Sequence, residues 1–330
     1  RLGGGEQRRN QRPPLMFAAN HGLSRRLTRY NIFGLLGALL VFGCIYVPDF
    51  ARPANLANIL VQSSALGVLA VGQTFVILCG LIDPSVGQLI GLAVVLSSDY
   101  MAGNSARTLP ALLLALLLGA GVGTVNGVMA NRLRIHPLIL TFGMLSVLQG
   151  IIFVYTDRSI GLASPEIRWL ANGALAGFPV AAILLLVVAA LGHLVLTRTR
   201  FGRHVFAVGG NEENARRGGI ATDRIRLIVF IISGISAGLA GLLVAGRLGT
   251  GYPNAGTGFE LDGIVAVVLG GTSLAGGTGG IAGSVAAALL LGAISNILNL
   301  LEISAFVQIL LKGVIVVGAI LLTEPLRFRR

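Results

Sequence analysis

Long apolar blocks alternate with short polar breaks along most of the chain. A helix that crosses a bilayer needs roughly 20 apolar residues. Ten segments come near that length: about 31–48, 56–80, 85–102, 109–130, 136–156, 178–197, 226–247, 262–276, 280–300 and 304–323. Glycine and polar residues interrupt 85–102 and 262–276, so either reads as a re-entrant or broken element as readily as a straight span. Hydrocarbon cannot satisfy a bare backbone, so helices are expected wherever the chain crosses. The pattern predicts an all-α polytopic membrane protein with about ten transmembrane helices.

One polar island breaks the pattern. Residues 198–226, RTRFGRHVFAVGGNEENARRGGIATDRIR, hold seven Arg, three acids and His204 between two apolar blocks. A loop this charged stands in water on one side of the membrane. The organisation that follows is a basic segment at 1–30, one transmembrane domain at 31–323 carrying the loop 198–226, and a basic tail at 324–330. With the first segment inside and ten spans, nineteen of the 25 basic residues fall on inside segments, and only Arg52, Arg107, Arg158, Arg168 and Arg247 fall outside. Positive charge collects on the cytoplasmic side, so both termini and the island are expected there. The outer segment 157–178, with Pro165 and Trp169, suits a short interfacial helix. The first thirty residues read as a cytoplasmic lead-in and not as a cleavable signal.

Composition narrows the class. The chain is 54% hydrophobic and only 12% charged, with a mean hydropathy of +0.84, whereas a soluble domain carries about 25% charged residues. The net charge of +12 orients loops; no basic face interleaved with aromatics suggests nucleic acid. Cys44 and Cys79 lie in apolar blocks and read as small buried hydrophobes. No Gly-Lys-Ser/Thr phosphate loop occurs, the four histidines lack metal spacing, and no serine has a nucleophile-elbow context. No enzyme, catalytic residue, metal site or bound cofactor is therefore expected.

Glycine is abundant and placed. Gly119, Gly123 and Gly127 recur every four residues, as do Gly234 and Gly238, the small-residue spacing that lets helix backbones meet in lipid. The run LGGTSLAGGTGGIAGS at 269–284 disfavours a regular helix, and serves either to line a pathway or hinge, or to pack tightly. Ionisable groups at membrane depth mark function or internal pairing. Asp83, Glu260, Asp262 and Lys312 are the candidates, with Glu260 and Asp262 expected at the outer edge of a span. Asp83 precedes Pro84, so it caps the helix from Ser85 or lines a pathway; Lys312 pairs with an acid or lines the same pathway. Ser85, Asn126 and Thr141 add polar positions suited to a neutral solute.

Several segments together resemble one family. AVGQTFVILCGLIDPSVGQLIGL (70–92), GTVNGVMANRLRIHPLILTFGMLSVLQGI (123–151), FGRHVFAVGGNEENARRGGI (201–220), FELDGIVAVVLGGTSLAGGTGGIAGS (259–284) and LLKGVIVVGAILL (310–322) are similar, in order, to the permease subunits of ribose-type sugar ABC importers. Pro84, Asn214 and Gly263 depart from that pattern; Pro84 leaves the role of Asp83 open. The resemblance implies a multi-pass protein of the bacterial inner membrane that moves a sugar or similar polar solute from periplasm to cytoplasm. Its partners would be a second permease chain, identical or paralogous, two cytoplasmic ATP-binding subunits that use ATP and Mg, and a periplasmic sugar-binding protein. It also implies that a short helix in the island docks on the ATPase. NEENARRGG (211–219) suits that helix: Asn211 caps it, Glu212 and Glu213 favour its first turn, Arg216 and Arg217 its last, and Gly218 or Gly219 stops it. The competing readings are a secondary transporter driven by an ion gradient and a non-transporting structural protein.

Overall fold

Pro53 opens the central helix of the bundle, where its missing N–H costs nothing. In the computed structural model, which describes residues 32–133, 135–304, 306–311 and 313–314, that helix runs over Pro53–Leu78 and is buried along most of its length. The helices in order are α1 Ile32–Tyr46, α2 Pro53–Leu78, α3 Ser85–Met101, α4 Thr108–Arg132, α5 Pro137–Tyr155, α6 Pro165–Asn172, α7 Val180–Arg198, α8 Arg200–Gly210, α9 Glu212–Arg217, α10 Thr222–Leu248, α11 Phe259–Leu269 and α12 Ile281–Leu300. Two short strands, β1 Ala174–Leu175 and β2 Phe178–Pro179, pair as an antiparallel hairpin. The short helix expected in 157–178 is α6, capped by Ser164, whose hydroxyl accepts from the Ile167 N–H.

Among the described residues, six helices are long and apolar enough to cross a membrane: α2, α4 with the 3-10 turn before it, α5, α7, α10 and α12. The structure is thus that of an all-α polytopic membrane protein. The segments at 31–48 and 85–102 form the shorter apolar helices α1 and α3, and 304–323 lies largely outside the described residues. The segment 262–276, left open between a straight span and a broken element, is broken. Its helix starts earlier, at Phe259, and stops at Leu269, because Gly271, Gly276, Gly277 and Gly279 take positive φ and turn the chain out of helix. Eleven residues rise about 16 Å, half a bilayer.

α2 sits at the centre with α7, α10 and α12 around it, and α3 packs on α10 and α5. Lipid tails are as apolar as leucine, so packing holds such helices together only through close contact and polar links. α4 and α10 show the first. A Cβ on Gly119 would strike the Gly234 carbonyl, one on Gly123 the Phe230 carbonyl, and one on Gly238 the Ala115 carbonyl. A Cβ on Gly127 would come within 2.8 Å of the Leu227 side chain. α5 lies at the rim and buries only Thr141, Leu148 and Ile152. Cys79 is buried, but Cys44 is exposed: it is on an outward face of α1, which the apolar pattern alone did not distinguish from an inward one.

Candidate functional site at the island end

α2 ends at the island end in a glycine stop. Gly80 has φ 72, the Leu81 N–H donates to the Val76 carbonyl at 3.2 Å and the Gly80 N–H to that of Ile77 at 2.9 Å. The next residues turn back into the bundle. There the Gln73 amide of α2 donates to the Asp83 carbonyl at 2.8 Å, and the Thr141 hydroxyl lies 3.1 Å from the Ile82 carbonyl. Asp83 does cap α3, but from one residue before Pro84: its Oδ1 accepts from the Ser85 N–H at 3.2 Å and the Ser85 hydroxyl at 2.5 Å. Asn126 of α4 donates to the Ser85 hydroxyl at 2.9 Å. Asp83, Ser85, Asn126 and Thr141 are therefore one buried polar node joining α3, α4 and α5 to the end of α2. Gln73 Oε1 and Asn126 Oδ1 end there without a protein partner.

Glu260 is corrected in depth. A Cβ on Gly87 would collide with its carboxylate, and Gly263, one turn on, faces Leu69 and Gln73. The first turn of α11 therefore lies level with the middle of α2, because the chain from Gly249 to Gly258 bends inward. Both Glu260 oxygens lie 3.1 Å from the Gly258 N–H, which donates to them. Asp262 is in the same first turn and has a partner of its own. Lys312 lies outside the described residues.

The island itself is two helices, not a free loop. α8, which the sequence reading missed, starts at Thr199, whose hydroxyl accepts from the Gly202 N–H at 3.1 Å. Its apolar side, Val205 and Val208, is buried in a cluster with Phe75, Leu78 and Leu196. That three-to-four spacing in GRHVFAV was the available signal. α9 then stands on α8. Asn211 Oδ1 accepts from the Asn214 N–H at 2.8 Å, and Glu212 and Glu213 occupy the first turn. The Ile220 N–H donates to the Ala215 carbonyl at 3.1 Å and the Gly219 N–H to that of Arg216 at 3.0 Å, so Gly219, at φ 85, is the stop.

The two arginines of α9 differ. Arg216 donates to Thr222 at 2.9 Å, Asp223 at 3.1 Å and Glu212 at 3.2 Å, tying α9 to the start of α10. Glu212 also pairs with Arg226 at 3.3 Å. Among the described residues Arg217 meets only Glu213, at 3.0 Å, and both side chains are mostly exposed. Beneath α9 the 270–280 loop closes the end of the bundle. The Gly277 N–H donates to the Leu78 carbonyl at 2.9 Å, and a Cβ on Gly277 would sit 2.9 Å from Gly210 Cα.

The apolar helical bundle, with the half-length helix α11, a buried polar node and a charged helical pair on one end, has the build of a multi-pass membrane protein. Comparison with known proteins makes that specific. Residues 55–322 match the family model described as "Branched-chain amino acid transport system / permease component", and the chain belongs to that permease family. It is 40% identical over 279 residues to the ribose import permease protein RbsC of Escherichia coli K12, covering 83% of this chain and 87% of that one. It is 35% identical to the D-allose transport system permease protein AlsC of the same organism, over 89% and 91%. It is 32% identical to the L-arabinose ABC transporter permease protein AraH of Azospirillum brasilense, over 94% and 92%. The resemblance to ribose-type ABC permeases drawn from the sequence blocks is shown by these matches. No solved structure matches the chain.

Proposed function

We propose that this chain is the membrane-spanning subunit of an ATP-driven importer that carries a sugar or sugar-like solute from periplasm to cytoplasm. Its named relatives import or transport ribose, allose and arabinose, which supports a monosaccharide class. A second permease chain, two ATP-binding subunits and a periplasmic binding protein complete the working unit in the inner membrane, with both termini and the island in the cytoplasm and about ten spans in all. ATP and Mg belong to the ATPase chains.

The observation that carries the coupling role is the build of the island. α9 is a short helix held rigid at both ends and set on α8, whose apolar side is packed against α2. A force on α9 therefore reaches the central helix directly. Docking and release of an ATPase would bias two arrangements of the bundle through differential contacts at this helix. Asn211, Glu212, Arg216 and Gly219 shape α9, while Glu213 and Arg217 face outward to the partner.

Arg217→Glu is the test, because Arg217 has a single exposed partner and its reversal leaves the Arg216 network intact. In proteoliposomes holding the complete transporter, solute-stimulated ATP hydrolysis and uptake are expected to fall together while the amount of permease in the membrane stays the same. Unchanged uptake with unchanged stimulation in that variant overturns the coupling role. Arg216→Glu is a poorer probe, since it breaks the links to Thr222 and Asp223 and disorders the helix itself.

A further inference from the structure

At the end of the bundle opposite the island, a largely enclosed cavity of about 210 Å³ descends between α2, α7, α10 and α11. Leu243, Ala65 and neighbouring apolar side chains form its walls, and Gln62, Arg247, Tyr252 and Phe259 break their uniformity. Arg247 and Tyr252 are exposed at the mouth, while Gln62 and Phe259 are half-buried further in. Phe259 is the first residue of α11, so the floor reaches the middle of the bundle. Among the described residues, no hydrogen bond or ion pair engages the side chains of Gln62, Arg247 or Tyr252. Three polar side chains with unspent capacity thus converge on one cavity.

We propose that this cavity is a binding site for one monosaccharide ring within the permease itself. The proposal rests on the sugar-importer reading above and adds where the solute is held. Size is the first argument. The cavity has room for about seven waters at ~30 Å³ each and lies below the ~300–1,000 Å³ of drug-sized sites, which fits a single ring. Chemistry is the second. A sugar hydroxyl both donates and accepts, and the Gln62 amide and Tyr252 hydroxyl do the same, while Arg247 offers five donors. The C–H face of a ring suits the aromatic faces of Tyr252 and Phe259, whose quadrupole is negative over the ring. An apolar occupant would leave Gln62 unsatisfied at membrane depth. Position is the third. The site opens on the side away from the island and its floor is at Phe259, the first residue of α11, where a solute would wait before the bundle changes the side it faces.

The experiment uses the complete transporter in nanodiscs without its binding protein, probed by saturation-transfer NMR with D-ribose and L-arabinose. Ring protons of at least one sugar are expected to receive saturation. Gln62→Leu, which keeps the shape, and Tyr252→Phe, which keeps the ring, should each weaken the signal about fivefold through a lost hydrogen bond. A sugar signal equal in wild type and both variants overturns the site. Displacement of that signal by acetate but not by the second sugar overturns it in favour of an anion site at Arg247. No sugar signal, in a complex that still imports sugar once its binding protein is added, overturns the site and leaves the importer reading standing. No sugar import under any condition overturns both.

Discussion

The glycines of the α4–α10 seam have ordinary helical backbones, whereas Gly271, Gly276, Gly277 and Gly279 in the 270–280 loop all take positive φ. The two regions use the residue for different reasons. At the seam, glycine is present for what it lacks: each missing Cβ is the space taken by a carbonyl or side chain of the other helix. In the loop, glycine is present for what it permits as well, since the left-handed region disfavours other residues by roughly 1–2 kcal/mol. The seam therefore fixes two whole helices at backbone contact, and the loop shapes a turn that wedges between the ends of α2 and α8. A high glycine content is one number, but it contains a static joint and a corner.

The largest effect that separates these roles is at the seam. Gly119→Leu drives a side chain into the Gly234 carbonyl, which helices can relieve only by moving apart, so a loss of about 3 kcal/mol or more is expected. Gly121, two residues away on the same helix, has nothing within 4 Å of its would-be Cβ, and Gly121→Leu should leave stability nearly unchanged. Thermal unfolding of the detergent-purified chain reads both; equal midpoints would dissolve the seam as an explanation. Next comes the junction under α9. Gly276→Ala meets a φ of 84 and also places Cβ 2.7 Å from the Gly80 nitrogen and 2.9 Å from the Gly209 carbonyl, for about 2 kcal/mol from strain and crowding together. The neighbours on α8 split the two causes further. Gly209→Ala collides with the Leu78 carbonyl, while Gly210→Ala meets nothing and should stabilise by a few tenths of a kcal/mol as a helix former. The same sign for both would refute the close approach of α8 to α2.

Much of this was legible along the chain because it is local. The ends of α2, α4, α5, α7, α10 and α12 fall within a few residues of the apolar blocks, since length and hydropathy decide them. α9 was readable residue by residue, because Asn211, the two acids, the two arginines and Gly219 act within one or two turns. What was not legible is tertiary. Asp83, Ser85, Asn126 and Thr141 looked like separate marks on a pathway, yet they meet in one node only because the chain after Gly80 turns back beside α4 and α5. Glu260 seemed to lie at a rim, and an inward bend of Gly249–Gly258 put it at mid-height. α8 carried its apolar spacing among the polar residues Arg200, Arg203 and His204, which concealed it as a loop. Arg247 reads in the sequence as an outside loop charge, with no hint that it shares a cavity with Gln62.

A milder destabilisation isolates conformation from contact. Gly219 has a φ of 85, like Gly276, but nothing lies within 4 Å of its would-be Cβ. Gly219→Ala therefore meets backbone strain alone and should weaken α9 by about 1 kcal/mol. Gly219→Asn should cost less, because asparagine tolerates the left-handed cap best after glycine. Neither change touches Arg216, Glu212 or the Asn211 cap, so the helix keeps its other supports. Amide hydrogen exchange at Gly218–Ile220 is the measure: protection should fall in the order glycine, asparagine, alanine, with exchange in α4 and α10 unaltered. If alanine and asparagine exchange alike, the stop of α9 is held by the Ile220–Ala215 link and its apolar contact instead of by the backbone freedom of one residue. If exchange in α10 also rises, strain at the tip of the island reaches the seam through Arg216 and Thr222, and the two glycine regions are not independent.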